Sequence, residues 1–325
     1  MTPRVWILLG PHRGDNNQLR NLGQALGWPV EEKPLAYKRY WRSWQRIGPT
    51  QPWLLTRDSR ALLRPPWPDL VIGIGRRSVP VARWLRRKCG AKLVRLGNPR
   101  IDPARFDLVL TTAQYPVPDA PSVIRLPLAI APVSPPEPSV DELVFLAGLP
   151  RPLLLLSIGG TTRYWQIDEP ILARSARTLA ARAAASGGTL LAVTSPRTPP
   201  SAIAAVRAAL AGQLSARLLT ELPIRFPVML AAADENHVTA DSVSMLSEAI
   251  AAGKPVGIIP VEPDPTAASE LLASRYPEGL RDLRRFWNSL EQLGLAGSID
   301  QPRQGNFDQP LDTAVAAIRR IMAAP

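Results

Sequence analysis

An α/β protein made of two halves, each wound around a parallel sheet, is the fold class this 325-residue sequence predicts. Three observations point there. Apolar runs of four or five residues, closed off by Gly or Pro, alternate with stretches of helical periodicity, as strands covered on both faces require. A proline-dense passage divides the chain near its middle. The turns richest in glycine, hydroxyls and charge fall directly after strands, where open parallel sheets hold ligands.

In chain order, Val5–Leu9 reads as the first strand and 16–26 as the helix returning from it. A buried strand over 70–75 leads to a helix over 79–88, followed by short strands at Lys92–Leu96 and 108–112. The passage 127–150, with its APVSPPEP run, is the candidate linker. The second half opens with the strand Leu153–Ile158, then a helix near 169–186, the strand Thr189–Thr194 and a helix near 201–211. A strand ending at His237–Thr239, a helix after it, a strand over 256–260 and a terminal helix over 311–323 complete the reading. The domains expected are one half over 1–135 and a second over 136–310, followed by the helix over 311–323. Two such halves imply a cleft between them.

Composition bounds the function. With 46% hydrophobic and 20% charged residues the chain belongs to the globular class, and no apolar run reaches the 18 residues a spanning helix needs. The apolar start is too short for a signal peptide and reads as a strand. The single cysteine, Cys89, excludes an internal disulfide and agrees with a cytoplasmic setting. One Cys and two His cannot build a zinc cluster, so no metal is expected. Residues 1–135 carry 22 Lys and Arg against 8 Asp and Glu, whereas 136–325 carry 17 against 19. The whole net charge of +12 therefore lies in the first half, which implies an anionic partner such as a phosphorylated glycolipid or a membrane surface. Nucleic acid is not expected, since no finger, RNP-type aromatic pair or helix-turn-helix pattern occurs. Arg39, Tyr40, Trp41, Arg42, Trp44 and Arg46 mix aromatic and cationic side chains as interfacial segments do, or as a core with arginines outside it would.

Five turns carry candidate chemistry. After strand one, Gly10 and Gly14 are expected to bracket a tight turn that sets Asp15 at the mouth of a helix, placed to act as a general base. His12 is a rival base, and the plain alternative is that Asp15 or Asn16 is only a helix cap. In the turn from Ile72 to Ser78, Gly75, Arg76, Arg77 and Ser78 would face the ligand, although the third glycine of a dinucleotide fingerprint is missing; a structural turn with solvated arginines is the alternative. Ser157 to Arg163 offers Gly159, Gly160, Thr161 and Thr162 to a diphosphate. It lacks the Gly-Lys-Ser/Thr ending of an ATPase loop. In Thr194 to Thr198, Ser195 and Arg197 are candidate phosphate partners, Arg197 as a planar fork. The run from His237 to Val256 places Thr239, Asp241, Ser242 and Ser244 around a helix N-terminus, with Asp241 or Ser242 as its cap and Glu248 two turns on. Amides there would take a phosphate and the carboxylate would take ribose hydroxyls. A capped helix in an ordinary α/β unit is the alternative.

Taken together and in order, Gly14 to Gln18 (including Asn16), Pro68 to Arg77, Gly97 to Pro99, Ile158 to Gly160, Thr194 to Thr198 and Val238 to Ala249 resemble the bacterial branch of the family named for a plant mitochondrial-fission factor. Bacterial members are described as glycosyltransferases of the lipopolysaccharide outer core. The resemblance implies a GT-B-like fold, two Rossmann-like parallel-sheet domains facing each other across a cleft, with no metal and no cofactor beyond the nucleotide-sugar substrate. It makes 1–135 the acceptor-side domain and 136–310 the nucleotide-sugar domain, with helix 311–323 packing back on the first. The Gly14–Asp15 turn is also similar to that of heptosyltransferases, whose Asp is thought to be the base. The expected activity is inverting-type sugar transfer to an anionic glycolipid at the inner face of the cytoplasmic membrane. Asp15 would be the base, Gly159, Gly160, Thr161, Ser242, Ser244 and Arg197 would hold the diphosphate, and Glu248 the ribose. A non-catalytic membrane-associated adaptor and a nucleotide-sugar epimerase are the alternatives.

Overall fold

All five residues of the VWILL run at Val5–Leu9 are buried, because alternate side chains enter opposite cores and both cores are apolar. Val5, Ile7 and Leu9 join one core, and Trp6 and Leu8 the other. A computed structural model describes residues 2–38, 52–131, 136–162, 164–264 and 281–323. The Arg39, Tyr40, Trp41, Arg42, Trp44 and Arg46 segment, and Arg163 of the diphosphate-type turn, lie outside the described residues.

The chain forms two compact units. One runs to Ala131 and takes in Arg281 and the residues from Asp308; the other holds 136–264 and Asp282–Phe307. The first contains strands β1 (Val5–Leu9), β2 (Val30–Pro34), β3 (Leu70–Ile74), β4 (Lys92–Leu96), β5 (Leu108–Thr111) and β6 (Val123–Arg125). They make one parallel sheet in the order β2-β1-β3-β4-β5-β6. Helices α1 (Arg13–Leu26), α2 (Arg57–Ala61) and α3 (Gly75–Cys89) belong to this unit. The C-terminal helix Pro310–Ala323 does too: Leu311, Ala314, Ala317 and Ile318 enter the same core as Leu19 and Leu22 of α1. Each Leu or Ile so buried contributes roughly 1.5–3 kcal/mol.

The second unit follows the same plan. Strands β7 (Leu153–Ile158), β9 (Thr189–Thr194), β10 (Ala216–Leu219), β11 (Glu235–Thr239), β12 (Val256–Ile259) and β14 (Gly297–Ser298) form a parallel sheet in the order β10-β9-β7-β11-β12-β14. Short β8 (Trp165–Gln166) and β13 (Glu262–Pro263) pair antiparallel. Its helices include α4 (Val140–Ala147), α5 (Glu169–Ala185), α6 (Pro200–Ala209), α7 (Phe226–Ala232), α8 (Val243–Ala251) and Leu283–Gln292. Leu172, Ala176, Leu179 and Ala183 of α5 pack beside Leu154, Leu156 and Ile158 of β7.

The boundary between the two units falls inside the proline-dense passage, after Ala131, yet the passage is more than a linker. Ile130 is a core residue of the first unit, and α4 forms inside the passage. The reason is local: Ser139 accepts from the Glu142 amide while the Glu142 carboxylate accepts from the Ser139 amide, a capping box that starts a helix despite the flanking prolines. The same carboxylate takes the Arg225 guanidinium, fixing α4 to the start of α7.

In both sheets the chain first builds outward on one side and then crosses to the other. The order reverses between β1 and β3 in the first unit and between β7 and β11 in the second. Such reversal leaves a crevice beyond the carboxyl ends of the two strands, since the helices that follow them lie on opposite faces.

Candidate functional site

In the first unit, the segment after β1 lies at that reversal. The expected tight turn between Gly10 and Gly14 is corrected: α1 begins at Arg13, so Gly14 is already its second residue. The turn closes earlier because the Asn16 carboxamide grips Gly10, accepting its amide and donating to its carbonyl, both at 2.9 Å. His12 occupies the N-cap position without a side-chain cap bond, so neither Asp15 nor Asn16 caps the helix. Asp15 sits in the first turn of α1, and burial pushes its carboxyl up against the opposing pull of His12, Arg281 and Arg95. Gln18 is half-buried one turn along.

Gly75 opens α3 at φ +68°, and a β-carbon there would stand 4.0 Å from Asp15 Oδ2. The left-handed backbone explains the glycine. Arg76 is exposed and Arg77 half-buried, its carbonyl accepting from the Tyr37 hydroxyl. Ser78, expected to face a ligand, is turned inward: it is 2% exposed and donates to the Ile74 and Gly75 carbonyls. Its hydroxyl also accepts from Arg95 at 3.0 Å. Arg95 is the residue that the sequence reading missed here. Buried at the end of an apolar strand, it donates to the Gly75 carbonyl at 2.9 Å and the Asn98 carbonyl at 2.8 Å, tying the turns after β3 and β4 together. Burial lowers its guanidinium to about 10, with Asp15 and Tyr115 opposing. A lone arginine inside the KLVRL strand was the available signal.

In the second unit, β9, β7 and β11 are neighbours, so the three turns after them converge. Thr239 Oγ1 accepts the Gly159 amide at 2.8 Å, and Asp241 Oδ2 accepts the Gly160 amide at 2.9 Å. Thr239 donates its own proton to Asp241 Oδ1 at 2.7 Å. The turn after β9 closes the other side: Ser195 and Thr198 hydroxyls donate to the Gly159 carbonyl at 3.1 and 2.6 Å. Gly159 and Gly160 have no room for a side chain, because the Asp241 carboxylate presses on one and the Arg197 backbone on the other.

These contacts correct two expectations. The Gly159 and Gly160 amides serve the loop itself rather than standing open, because burial demands partners for them. Asp241 does not cap α8, since its carboxylate is spent on Gly160 and Thr239; Ser242 caps it, accepting from the Met245 amide. Burial raises Asp241 while these hydrogen bonds pull it back. Outside these contacts are the exposed Thr161, the exposed Arg197 side chain and the first-turn amides of α8 at Val243 and Ser244, which have no intrahelical acceptor. Thr162 donates its amide to the Trp165 carbonyl at 2.8 Å. Glu248 is half-buried in α8, and burial alone raises it to about 7. Two tryptophans that no local pattern singles out stand beside the site: the Trp287 indole donates to the Ala240 carbonyl at 2.9 Å and meets Trp165 edge-on at 5.0 Å.

Among the described residues, no group of three or more His, Cys, Asp or Glu is placed to hold a metal ion, and no helix is long and apolar enough to cross a membrane.

The sequence profile of the family described as Mitochondrial fission ELM1 matches residues 13–324. The chain belongs to the Mitochondrial fission ELM1 family. No protein of curated function matches the chain in sequence. Among solved structures, this ELM1-family chain is similar to a glycosyltransferase from Rickettsia africae ESF-5, with 9% identity and a TM-score of 0.56 over 100% of both chains. It is also similar to a UDP-N-acetylglucosamine 2-epimerase from Listeria monocytogenes, with 13% identity and a TM-score of 0.54 over 100% of this chain and 98% of that one. A third is the S. aureus protein MnaA solved with UDP, with 11% identity and a TM-score of 0.53 over 98% and 96%. At such identities the likeness speaks for the fold, which is GT-B.

Proposed function

We propose that the chain is a glycosyltransferase that moves a sugar from a nucleotide-diphosphate donor to a lipopolysaccharide core or similar anionic glycolipid. The observation that carries this reading is the convergence of the turns after β9 and β11 on the Gly159–Gly160 turn after β7, which leaves the first-turn amides of α8, Thr161 and the Arg197 side chain outside those contacts. A helix N-terminus beside a guanidinium suits a diphosphate, because amide dipoles and a fixed cation both stabilise charge that grows as it departs. Glu248 would accept the ribose hydroxyls. The UDP of the MnaA structure makes uridine diphosphate the first nucleotide to test.

In the first unit Asp15 would remove the proton of an acceptor hydroxyl. The freed oxygen attacks the anomeric carbon, the bond from that carbon to the diphosphate oxygen breaks, and the nucleoside diphosphate leaves with the electron pair. A carboxyl held above its ordinary range by burial is a stronger base once ionised. The reaction is proposed to need no metal, Arg197 and the α8 amides carrying that load. The net positive charge of the first half would hold the protein on the inner face of the cytoplasmic membrane through anionic headgroups. An epimerase would use the same donor site but leave the basic excess without a role.

The test is thermal melting with UDP, GDP, ADP and CMP and their common sugars, for the wild type and Glu248→Ala. Ligands that bind only the folded chain raise the melting temperature. A rise with one nucleotide, lost in the variant, is expected. No rise with any of them at millimolar concentration overturns the donor site and leaves the adaptor.

A further inference from the structure

Beyond β4 the chain makes a loop that the proposed chemistry does not use. Gly97 turns at φ +75°, and Arg100 follows at φ +58°, the only positive value at a non-glycine among the described residues. Left-handed backbone at an arginine is unfavourable by about 1–2 kcal/mol and persists only where the surroundings fix it. Here they do. The Asn98 side chain accepts the Arg100 amide at 2.7 Å, and buried Arg95 holds the Asn98 carbonyl from beneath at 2.8 Å.

The loop walls a cavity of about 250 Å³ between 98–103 and 116–118. Four of its lining residues, Pro99, Pro103, Pro116 and Pro118, are prolines, so its walls lose little freedom when a ligand enters. The volume is below that of ordinary cofactor sites, which excludes a nucleotide and suits a single sugar or a smaller group. Its lining carries one cation, Arg100, and one carboxylate, Asp102. The exposed Arg100 pairs with no carboxylate among the described residues, and it stands close enough to Arg95 for the two guanidiniums to repel. Asp102, also on the wall, directs its carboxylate to the Ala104 amide at 3.0 Å.

We propose that this pocket binds a phosphomonoester carried on a sugar, with Arg100 as its cationic partner. The inference rests on the acceptor-side reading of the first unit and adds a specificity to it. β4 is two strands from β1, roughly 10 Å, on the same edge of the sheet. The phosphate and the hydroxyl presented to Asp15 would then belong to neighbouring sugars of one acceptor.

Glucose 6-phosphate, titrated calorimetrically into the full chain, tests the assignment. Arg100→Gly removes the cation and relaxes the backbone, so this variant should melt at or above the wild-type temperature. Arg100→Asn, which also tolerates left-handed backbone, serves as a second charge-free variant. Binding to the wild type that weakens at least tenfold in both variants, with UDP binding unchanged, supports the pocket. Equal binding by wild type and variants overturns it, as does absence of glucose 6-phosphate binding in a protein that binds UDP. Arginine-dependent sugar-phosphate binding in a chain that binds no nucleotide keeps the pocket and removes the donor reading instead. A second titration with a phosphorylated glycolipid in detergent separates the sources. Tighter binding than glucose 6-phosphate assigns the phosphate to a lipid-linked acceptor, and equal or weaker binding to a soluble one.

Discussion

Asp241 grips the amide of Gly160 at 2.9 Å although it lies 81 residues further along the chain, and it does so while only 1% exposed. The turns after β7 and β11 are thereby one object. Replacing Asp241 by Ala leaves the Gly160 amide and the Thr239 hydroxyl buried without their acceptor. The expected loss is about 1–3 kcal/mol, or roughly 3–10 °C in the melting of the second unit, by calorimetry. Asp241→Asn, which keeps one oxygen, should lose less. Nucleotide binding should fall in both.

Glu248 gives the protein an unusual pH response. Its carboxyl is raised from 4.5 to about 7, so the folded chain holds a proton that the unfolded chain has released. That contribution to stability is full below 4.5 and is lost as pH rises through 7. Glu248→Gln should therefore raise the melting temperature more at pH 8 than at pH 5. Nucleotide binding should move oppositely in the wild type, tightening several-fold from pH 6 to pH 8 as the carboxylate forms.

His237 responds at the other end. It is fully buried beside Glu235, which the Arg182 guanidinium holds at 2.7 and 2.9 Å. Burial keeps the imidazole below 6.5, against the pull of Glu235. The unfolded chain takes up a proton near 6.5 and the folded chain does not, so stability is lost as pH falls below that value. Denaturant melts at pH 7 and pH 5 should show this loss in the wild type and less of it in His237→Gln.

Asp15→Asn should leave the melting temperature near or above that of the wild type, because a buried carboxylate is replaced by a neutral isostere. Transfer should fall by roughly 10²–10⁴. In the wild type, kcat/KM should rise with pH through a value above the ordinary carboxylate range. A rate unchanged in the variant would remove Asp15 from the chemistry.

The legible parts of the fold are those whose physics is local. β1, β4, β7 and β9 are short segments dominated by apolar residues and were readable to the residue. β2 was not, since its VEEKP sequence lies at the edge of the sheet and is held from outside. Arg20 pairs with Glu32, Glu31 with Lys33, and Lys33 stands 4.0 Å over the Trp6 ring. α4 hid among prolines because its capping box weighs more than the composition around it. At the candidate site, small and hydroxyl residues after strands marked the turns that come together in the second unit. They could not tell which groups point outward, because the partners of Gly159 and Gly160 come from 80 and 81 residues away. Arg95 and Trp287 act through tertiary contacts that no local pattern records.

The helix that ends the described chain completes the core in which the chain begins, with Ile318 packed among Val5, Leu22 and Leu70. Ribosomal synthesis delivers β1 and the whole second unit before this helix. The second unit can thus finish folding while the first is still missing one wall of its core, the reverse of the usual N-terminal-first order. Until the helix emerges, the nascent first unit exposes an apolar face that chaperones would have to shield.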